Sequence, residues 1–438
     1  MKRFAGFLVL SASVLALSSA AQAPPQSAAA AIAGVWQGFA TSHDQQVPVT
    51  VRIIGGAGAA GLKVAFLNGP AEHPDESAAS SAAFDGAHLV ANYDYFARKL
   101  DLTLADGKLT GTYGSVSATS KSVPVPVVLT RVHRLADPSA AANPPDIHGR
   151  WEIVTHSAKG EAAWEFRVDP PTPGSPVIKT VIQRIDGDTG GLWGAWNGAG
   201  YTVGHFNAAG PALYSVTPQP DGTLVVKNLL GVARSGAPQA ADLIARRTED
   251  ARKLNLPAPT EPTQQTTMKD PAAPLAFSFP DLSGRTVSNT DAEFRGKVVI
   301  VAIGGSWCPN CHDEAPFLVS LYNKYHAKGL EIVGLDFEQG DPETDTPRLR
   351  AFIVHYGIPY PMLTAGTTDQ LNEKVPQGVN LNCWPTSFFI GRDGLVKEVH
   401  AGFAGPGNTA GHEALVRDTT QLVEKLLAEP EGTESSSR

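Results

Sequence analysis

Trp307-Cys308-Pro309-Asn310-Cys311 decides the fold of this 438-residue chain, together with Trp384-Pro385-Thr386 far downstream. The apolar run at 298–303 directly precedes the first segment and predicts a buried parallel strand. Apolar residues then recur at helical spacing through 314–328, which predicts an amphipathic helix. The two cysteines are therefore expected where a strand passes into a helix.

A cysteine pair at the start of a helix is suited to redox chemistry. The unpaired amide groups of the first turn and the positive end of the helix dipole favour an anion, which lowers the pKa of a thiol placed there. The thiolate is the nucleophile of thiol-disulfide exchange. Cys308 and Cys311 are thus predicted to form a redox-active centre that alternates between a dithiol and a disulfide bond.

Residues 274–427 resemble the TlpA/ResA-like branch of the thioredoxin superfamily. The segments that carry the resemblance are Trp307-Cys308-Pro309-Asn310-Cys311 after its strand, Glu314-Ala315-Pro316 on the helix, and Trp384-Pro385-Thr386 followed by an Asp393-Gly394 turn. Between them, 334–363 is similar to the strand, helix and strand of the family's insertion. The resemblance implies an α/β thioredoxin-like domain at 274–428.

The resemblance also implies a role for each site residue. Cys308 is expected to be the exposed nucleophile, and Cys311 the buried cysteine that resolves the mixed disulfide. Glu314, beneath the cysteines, is expected to supply any buried acid-base function, because 298–303 contains no acidic residue. Pro385 is expected to follow a cis peptide bond. The residues expected to contact the substrate are Trp307, Trp384, Pro385 and Thr386.

Partners and direction follow from the same resemblance. Protein disulfides are the expected substrates, reduction is favoured over oxidation, and a membrane thiol transporter is the expected electron donor. No organic cofactor is expected. No metal is expected either, because Cys383 and His312 would have to complete a four-ligand zinc set at irregular spacing. Pro309-Asn310 does not fix the potential, which depends on how far the reduced form is stabilised.

Other interpretations of the cysteine segment stay open. Cys308-Pro-Asn-Cys311-His312 also has the form of a c-type haem attachment site, with His312 as axial ligand. Haem attachment explains neither Glu314-x-Pro316 nor Trp384-Pro385-Thr386, so dithiol chemistry is favoured. A further alternative is a binding protein in which the β-region holds a ligand or partner and the thioredoxin-like domain is a non-catalytic platform. A peroxidase is disfavoured, because Gly305 stands where the peroxiredoxin pattern has threonine.

Composition limits the partners and the compartment. Only three cysteines are present, so no disulfide scaffold holds the fold, and the third, Cys383, is expected to be a small buried hydrophobe near the redox pair. The net charge of -8 argues against a nucleic-acid surface. Residues 1–23 are typical of a secretory signal peptide that is too short to span a bilayer, with cleavage expected after Ala20 or Ala21. The mature protein is therefore expected in the periplasm or another extracytoplasmic compartment, without a membrane span.

An internal duplication is predicted between the signal peptide and the redox domain, because three motifs recur at one constant offset. The pairs are Ile32-x-Gly34-x-Trp36 with Ile147-x-Gly149-x-Trp151, Asp106-Gly107 with Asp221-Gly222, and Leu129-x-Arg131 with Ile244-x-Arg246. Alternating apolar stretches between Asp-Gly and Asn-Gly turns predict antiparallel strands. Two small β-modules are expected at 32–135 and 146–247, either separate or closed together into one barrel or sandwich.

The expected fold class is multidomain: a mainly-β duplicated N-terminal region followed by the α/β thioredoxin-like domain. The Gly-x-Trp opening with a late arginine faintly resembles lipocalins, in which the arginine packs over the tryptophan. Aromatic residues on the alternating strands are expected to be mostly core. These are Trp164, Trp193, Trp196 and Tyr201. The proline-rich segment 248–273 is expected to be a semi-extended linker, and 429–438 a disordered tail.

Overall fold

A computed structural model describes residues 31–55, 61–231 and 242–430. The expected signal peptide and residues 431–438 of the expected tail lie outside these ranges. Two nine-stranded sheets and one five-stranded sheet dominate the described part of the chain. Within that part, no helix has both the length and the apolar character needed to cross a bilayer.

The first nine-stranded sheet is antiparallel throughout and curls into an almost closed barrel. Its strands are β1 (Gly34–Ser42), β2 (Gln45–Ile54), β3 (Lys63–Asn68), β4 (Asp75–Ala78), β5 (Ser81–Phe84), β6 (His88–Tyr93), β7 (Arg98–Ala105), β8 (Lys108–Ser115) and β9 (Val125–Val132). Their order is β4-β3-β2-β1-β9-β8-β7-β6-β5. The edge strands β4 and β5 follow one another in the chain, which brings the two edges together. This sheet is called the first barrel.

Apolar residues at every second position fill the first barrel. In β2, Val47, Val49, Val51 and Ile53 are buried, whereas the residues between them are more exposed. Side chains alternate between the two faces of a strand, so this period places one apolar face inside. Each fully buried aliphatic side chain contributes about 1.5–3 kcal/mol to the free energy of unfolding.

The second nine-stranded sheet closes completely. Its strands are β10 (Gly149–Val154), β11 (Ala163–Val168), β12 (Ile178–Arg184), β13 (Gly187–Asp188), β14 (Leu192–Trp196), β15 (Tyr201–Asn207), β16 (Gly210–Pro218), β17 (Leu224–Asn228) and β18 (Leu243–Arg247). Their order is β11-β10-β18-β17-β16-β15-β14-β12-β13, and β11 also pairs with β12, which closes the ring. The short strand β13 only extends the β12 hairpin. This sheet is called the second barrel.

The four aromatic residues expected in the core of the second barrel differ in position. Tyr201 is buried inside, and Trp164 and Trp196 pack against the same core while partly exposed. Trp193 lies outside the cluster, with the ammonium group of Lys179 6.0 Å from its ring centroid. Three of the four residues therefore belong to the core or its edge.

A tryptophan anchors the start of each barrel in the same way. Trp36 Nε1 donates a hydrogen bond to the carbonyl of Ile32 at 3.0 Å. Trp151 Nε1 donates to the carbonyl of Ile147 at 2.9 Å. Both rings are buried, so each barrel closes its end over an indole whose single donor is satisfied.

An arginine on the last strand faces each tryptophan. Arg131 is the strand partner of Trp36, and Arg247 is the partner of Trp151. The guanidinium of Arg247 lies 3.9 Å from the centroid of the Trp151 ring, as in the lipocalin-like arrangement. The structural equivalent of Arg131 is therefore Arg247, one residue beyond the Arg246 that the motif comparison selects. Strand register, not motif spacing, determines the partner.

The redox domain is built on a five-stranded sheet in the order β24-β23-β22-β26-β27. The remaining strands among the described residues are β19 (Thr267–Met268), β20 (Ser278–Pro280), β21 (Thr286–Ser288), β22 (Val298–Gly304), β23 (Leu330–Glu338), β24 (Met362–Thr367), β25 (Gly378–Val379), β26 (Thr386–Ile390) and β27 (Val396–Ala401). Strands β22, β23 and β24 are parallel, and β26 and β27 are antiparallel to their neighbours.

Helices cover the five-stranded sheet and connect it to the barrels. They are α1 (Thr248–Lys253), α2 (Pro262–Gln265), α3 (Pro309–Tyr325), α4 (Asp345–Tyr356), α5 (Leu371–Lys374) and α6 (Thr409–Ala428), with 3₁₀ turns at Asp94–Phe96, Ala292–Phe294, His326–Lys328 and Thr368–Gln370. In β22, Val298 and Ile300 pack with α3, α4 and α6 on one face, whereas Val299 and Val301 pack into a second cluster on the other. The strand is buried on both faces, as the apolar run predicts.

The segment 248–273 is not a free extended linker. It contains the short helices α1 and α2, and its strand β19 pairs with β25 of the redox domain. Gln265 is buried and donates from Nε2 to the carbonyl of Lys159 in the second barrel at 2.8 Å. The segment thus contacts both the second barrel and the redox domain.

Candidate active site at the start of helix α3

Cys308 and Cys311 lie at the N-terminus of α3, where β22 leads into the helix. Helix α3 begins at Pro309, five residues before the predicted start, because proline fits the first helical position. Cys308 precedes it and donates from Sγ to the carbonyl of Trp384 at 3.5 Å. The Trp384-Pro385 peptide bond is cis. The two distant sequence segments therefore meet at the cysteine pair.

The expected exposure of Cys308 is wrong in this structure. Cys308 is 4% exposed and Cys311 is 6% exposed. Burial raises the pKa of the Cys311 thiol, and a hydrogen bond to Cys308 and the charges of Cys308 and Glu314 raise it further. Cys383 is fully buried beside Ile185, and burial raises its pKa to about 12. Cys383 is thus a buried thiol near the pair, as expected.

Glu314 lies inside the domain beneath the cysteines. Its Oε1 accepts a hydrogen bond from Ser387 Oγ at 2.8 Å, and the residue is buried. Burial raises the pKa of Glu314 to about 7, against which the Ser387 hydrogen bond acts weakly. The carboxyl group can therefore exchange a proton near neutral pH, next to a thiol that must lose one.

Asp336 is a second buried acid at the site, which the sequence analysis missed. It lies opposite Gly304 across the β22–β23 pair, so the two residues project to the same face. Cys311 Sγ is 3.1 Å from the position that a Cβ on Gly304 would take. The thiol therefore occupies the space left by the glycine, alongside the Asp336 side chain.

Asp336 borders a small cavity of about 30 Å³ together with Cys311 and Glu314. Its Oδ1 accepts from the Ser306 amide at 3.1 Å, whereas its buried Oδ2 has no hydrogen-bond partner among the described residues. Burial, and then the charge of Glu338, raise the pKa of Asp336 well above its usual range. The sequence signal was a single aspartate within the apolar stretch of β23, because an acid in a buried strand is rare without a specific role.

A buried ion pair fixes the loop in front of the cysteines. Arg348 donates to a Glu338 carboxylate oxygen, and its Nε donates to Ser306 Oγ at 3.0 Å. The Ser306 amide also donates to Glu338 at 3.1 Å. Arg348 is 6% exposed, so helix α4 is tied from inside to the turn that carries Trp307.

The expected substrate-contacting residues surround the cysteines but differ in accessibility. Trp307 and Trp384 lie edge to face with ring centroids 5.7 Å apart, and Trp307 Nε1 donates to the carbonyl of Phe337 at 2.9 Å. Thr386 is fully buried, and its hydroxyl donates to the carbonyl of Cys383 at 2.9 Å. Thr386 therefore shapes the loop around Pro385 rather than facing outwards.

His312 does not fit the role of a haem ligand. Its Nε2 lies 2.8 Å from the carbonyl of Ser306, which can only accept, so Nε2 carries the proton. Its Nδ1 then accepts from the Tyr356 hydroxyl at 3.0 Å. Burial lowers the pKa of His312 to about 3, which keeps the ring neutral. Both nitrogens are engaged, so neither can bind an iron without breaking this arrangement.

A loop of the second barrel reaches the site. Ile185 and Asp186 form the turn between β12 and β13. The carbonyl of Asp186 accepts from Asn310 Nδ2 at 3.2 Å and from the Phe403 amide at 3.1 Å. Its carboxylate accepts from the Trp384 amide at 3.2 Å. The second barrel thus binds the residue that precedes the cis proline and the residue between the two cysteines.

A loop of the first barrel covers the other side. The Phe96 ring stacks on His312 with centroids 3.9 Å apart, and Tyr95 stacks on His355 at 3.8 Å. Both aromatic residues belong to the 3₁₀ turn between β6 and β7. Loops from both barrels therefore cover the start of α3, which is the physical reason that Cys308 is buried.

Comparison with known proteins supports the resemblance predicted for the C-terminal region. Residues 270–399 match the AhpC/TSA family. The thiol-disulfide oxidoreductase ResA of Bacillus thuringiensis (strain Al Hakam) is 34% identical over 122 residues, which are 28% of this chain and 64% of that protein. The thioredoxin-like protein YneN of Bacillus subtilis (strain 168) is 28% identical over 127 residues, 29% of this chain and 68% of YneN.

The chain spans less than two thirds of the length of the ResA relative. Among solved structures, a thiol:disulfide interchange protein of the thioredoxin family from Chlorobium tepidum TLS is 25% identical. The match covers 37% of this chain and 100% of that chain, with a TM-score of 0.29. The predicted TlpA/ResA-like resemblance of the C-terminal region is confirmed by the sequence relatives.

Proposed function

We propose that this protein is an exported thiol-disulfide oxidoreductase that reduces disulfides in other proteins through Cys308 and Cys311. One observation carries the proposal: the cysteine pair begins α3 directly against the Trp384-Pro385 loop, with Cys308 Sγ hydrogen-bonded to Trp384. The relatives named thiol-disulfide oxidoreductase support the same chemistry for residues 270–399.

The reaction transfers two electrons from the cysteine pair to the substrate. Cys308, as thiolate, attacks a substrate disulfide; one substrate sulfur bonds to Cys308, and the other leaves as a thiolate that takes up a proton. Cys311 then loses its proton to the Glu314 carboxylate and attacks Cys308 Sγ. The mixed disulfide breaks, the second substrate thiol is released, and Cys308 and Cys311 are left as a disulfide.

Glu314 is suited to take the proton from Cys311 because its pKa of about 7 lies close to neutral pH. Regeneration of the dithiol needs two electrons from outside the chain, for which a membrane thiol transporter is the proposed donor. The reducing direction, the compartment and the donor rest on the resemblance and on the signal-like segment at 1–23.

The test is reduction of insulin disulfides by the purified protein with dithiothreitol as electron source. Turnover should disappear in Cys308→Ser, whereas Cys311→Ser should trap a mixed disulfide that reducing agent releases. Cys383→Ala is the matched control and should keep turnover. Equilibration of the wild-type pair in glutathione buffers measures the reduction potential, and a value above that of the glutathione pool would contradict the reducing direction. A wild-type protein without turnover, or a coloured protein with bound haem, would exclude the proposal.

The two barrels are proposed to be copies of one β-module, at 32–135 and 146–247. Their matching indole hydrogen bonds and arginine partners support this, because those contacts recur at equivalent strand positions. Residues 32–247 are also proposed to fold without the redox domain, since the buried residues of both barrel cores belong to this segment, with Phe206, Ala208 and Leu213 of the second barrel packed into the core of the first. Cooperative unfolding of that fragment, with β-type circular dichroism, is the expected result.

A further inference from the structure

The redox domain presents a row of hydrogen-bond donors beside Cys308. These donors are the Asn310 amide group, the Trp384 backbone amide and the Phe403 backbone amide, and together they are called the donor groove. The carbonyl of the same Trp384 accepts from Cys308 Sγ, so the donor groove adjoins the reactive thiol directly. A molecule held in it lies next to the sulfur that would attack a disulfide.

Asp186 of the second barrel fills the donor groove with two different acceptors. Its carbonyl accepts from Asn310 and Phe403, and its carboxylate accepts from the Trp384 amide and from Lys159 of the second barrel. Gly187 also forms a parallel β-bridge with Phe403. The occupant is therefore the turn of a β-hairpin, whose acidic side chain faces the site.

Glycines on both sides permit this close approach. A Cβ on Gly187 would lie 2.4 Å from the Phe403 carbonyl oxygen and 2.6 Å from Asn310 Cγ. A Cβ on Gly402 would lie 1.9 Å from the carbonyl oxygen of Ile185. Both glycines have positive φ, +137° and +73°, which other residues rarely adopt. The backbone is thus adapted at both faces to the contact.

The three groups that define the donor groove all donate, so they select acceptors. A carboxylate has no hydrogen to donate and accepts at two oxygens, whereas an amide side chain must turn its oxygen towards each donor. Hydrogen bonds to a charged acceptor are also stronger than neutral ones. An aspartate in a hairpin turn satisfies all three donors at once, as Asp186 does.

We propose that the donor groove binds an acidic residue of a substrate polypeptide close to its disulfide, and that the hairpin at residues 183–188 occupies the groove in the substrate's place. This inference rests on the proposed function and adds the substrate class and the way access to Cys308 is controlled. Since the occupant belongs to the same chain, it competes with substrate as an intramolecular ligand. A substrate gains access to Cys308 only when the Asp186 hairpin leaves.

The first test compares Asp186→Ala with Asp221→Ala, an aspartate in another hairpin turn of the same barrel. Cys308 alkylation by iodoacetamide, located by mass spectrometry on the reduced full-length protein, should be about tenfold faster in Asp186→Ala, because the intramolecular competitor is weakened. Asp221→Ala should match the wild type. Equal Cys308 alkylation in all three proteins would overturn the hairpin's role.

A second variant tests the role of the hairpin without changing the Asp186 side chain. Gly187→Ala keeps the carboxylate but brings a methyl group against Phe403 and Asn310, so it should also expose Cys308. Circular dichroism and a thermal melt establish that each variant is folded. If Gly187→Ala is folded and Cys308 stays as slow to alkylate as in the wild type, the hairpin does not control access.

The second test measures substrate choice with two disulfide-linked peptide pairs that differ only in aspartate or asparagine beside the cysteine. The Asp186→Ala protein should show a lower KM for the aspartate peptide, by about tenfold, since a charge-assisted hydrogen bond replaces a neutral one. Equal KM values would overturn the proposed acidic specificity. If no protein reduces either peptide or insulin while Asp186→Ala still exposes Cys308, the proposed function fails and the contact between hairpin and groove stands.

Discussion

The two barrels share an internal anchor but contact the redox domain through different chemistry. In both, a buried tryptophan donates to the backbone four residues earlier and faces an arginine of the last strand. Towards the redox domain, the first barrel extends two aromatic rings onto His312 and His355. The second barrel extends an aspartate into three hydrogen bonds. The tryptophan and arginine contacts are therefore the same in both barrels, whereas the loops contact the redox domain through different groups.

The two contacts differ in how strictly they fix the position of the partner group and in whether a charged group takes part. An aromatic pair contributes about 0.5–1.5 kcal/mol beyond its buried area and tolerates small shifts. A hydrogen bond to a charged group contributes about 1.5–3 kcal/mol and requires its partner at a defined position. The first barrel therefore provides general cover over α3, and the second provides the contact that a competing acidic chain can replace.

The largest expected effect is the loss of turnover when the cysteine beneath the loops of both barrels is replaced. Cys308→Ser should reduce insulin-disulfide turnover to background, because Cys308 is the proposed nucleophile of the exchange. Cys383→Ala should retain turnover, since Cys383 is a buried thiol whose pKa is raised to about 12. A loss in Cys383→Ala as deep as in Cys308→Ser would show that a third redox cysteine takes part.

The shared anchor can be tested by removing each tryptophan. Trp36→Ala and Trp151→Ala should each lower the free energy of unfolding by about 3–5 kcal/mol, because a large buried ring is replaced by a cavity. Urea unfolding followed by circular dichroism measures both losses. A loss in one barrel and none in the other would break the equivalence between the barrels.

Replacing Glu314 by an uncharged residue tests how the buried carboxyl group beneath the barrel loops affects the stability of the protein. The folded-state pKa of about 7 lies above the ordinary 4.5, so folding favours the protonated acid. That stabilisation is complete below pH 4.5 and is lost as the pH rises through 7. The loss amounts to about 3 kcal/mol at higher pH. Glu314→Gln should remove this dependence.

The measurement for Glu314→Gln is unfolding by urea at several pH values, alongside the rate of Cys308 alkylation against pH. Without the nearby carboxylate, alkylation above pH 7 should rise several-fold, because two negative charges no longer share a buried site. Superimposed stability and alkylation profiles of variant and wild type would mean that Glu314 has no influence on the cysteine pair.

The smallest expected effect distinguishes the contact that the first barrel makes with the redox domain from the contact that the second barrel makes. Phe96→Ala should destabilise the cover over His312 by about 1–2 kcal/mol, and it should do so equally at low and high salt. The effect of Asp186→Ala should shrink as salt rises, because the wild-type contact includes a charged group. Cys308 alkylation at two sodium chloride concentrations measures both. An equal salt response of the two variants would remove the distinction between the barrels.

The sequence was sufficient to predict those features that follow from a local pattern of residues or from a motif. The run at 298–303 became the buried strand β22. The cysteine pair, the cis proline and Glu314 lie together as the motifs predict. Each of these features depends on residues near one another in the chain or on segments that the family resemblance already connects.

Other features could be found only in the tertiary structure, because they bring together segments that no sequence pattern connects. Asp336 meets Cys311 only because the β22–β23 register places it opposite Gly304. Cys308 is buried only because loops more than a hundred residues earlier in the chain cover it. Hydrophobic periodicity predicts which face of a strand is buried, but register and docking depend on surfaces that form only after folding. The sequence by itself determined the cysteine pair and its place between a strand and a helix, and the tertiary structure decided the second acid beside it and the loops that cover it.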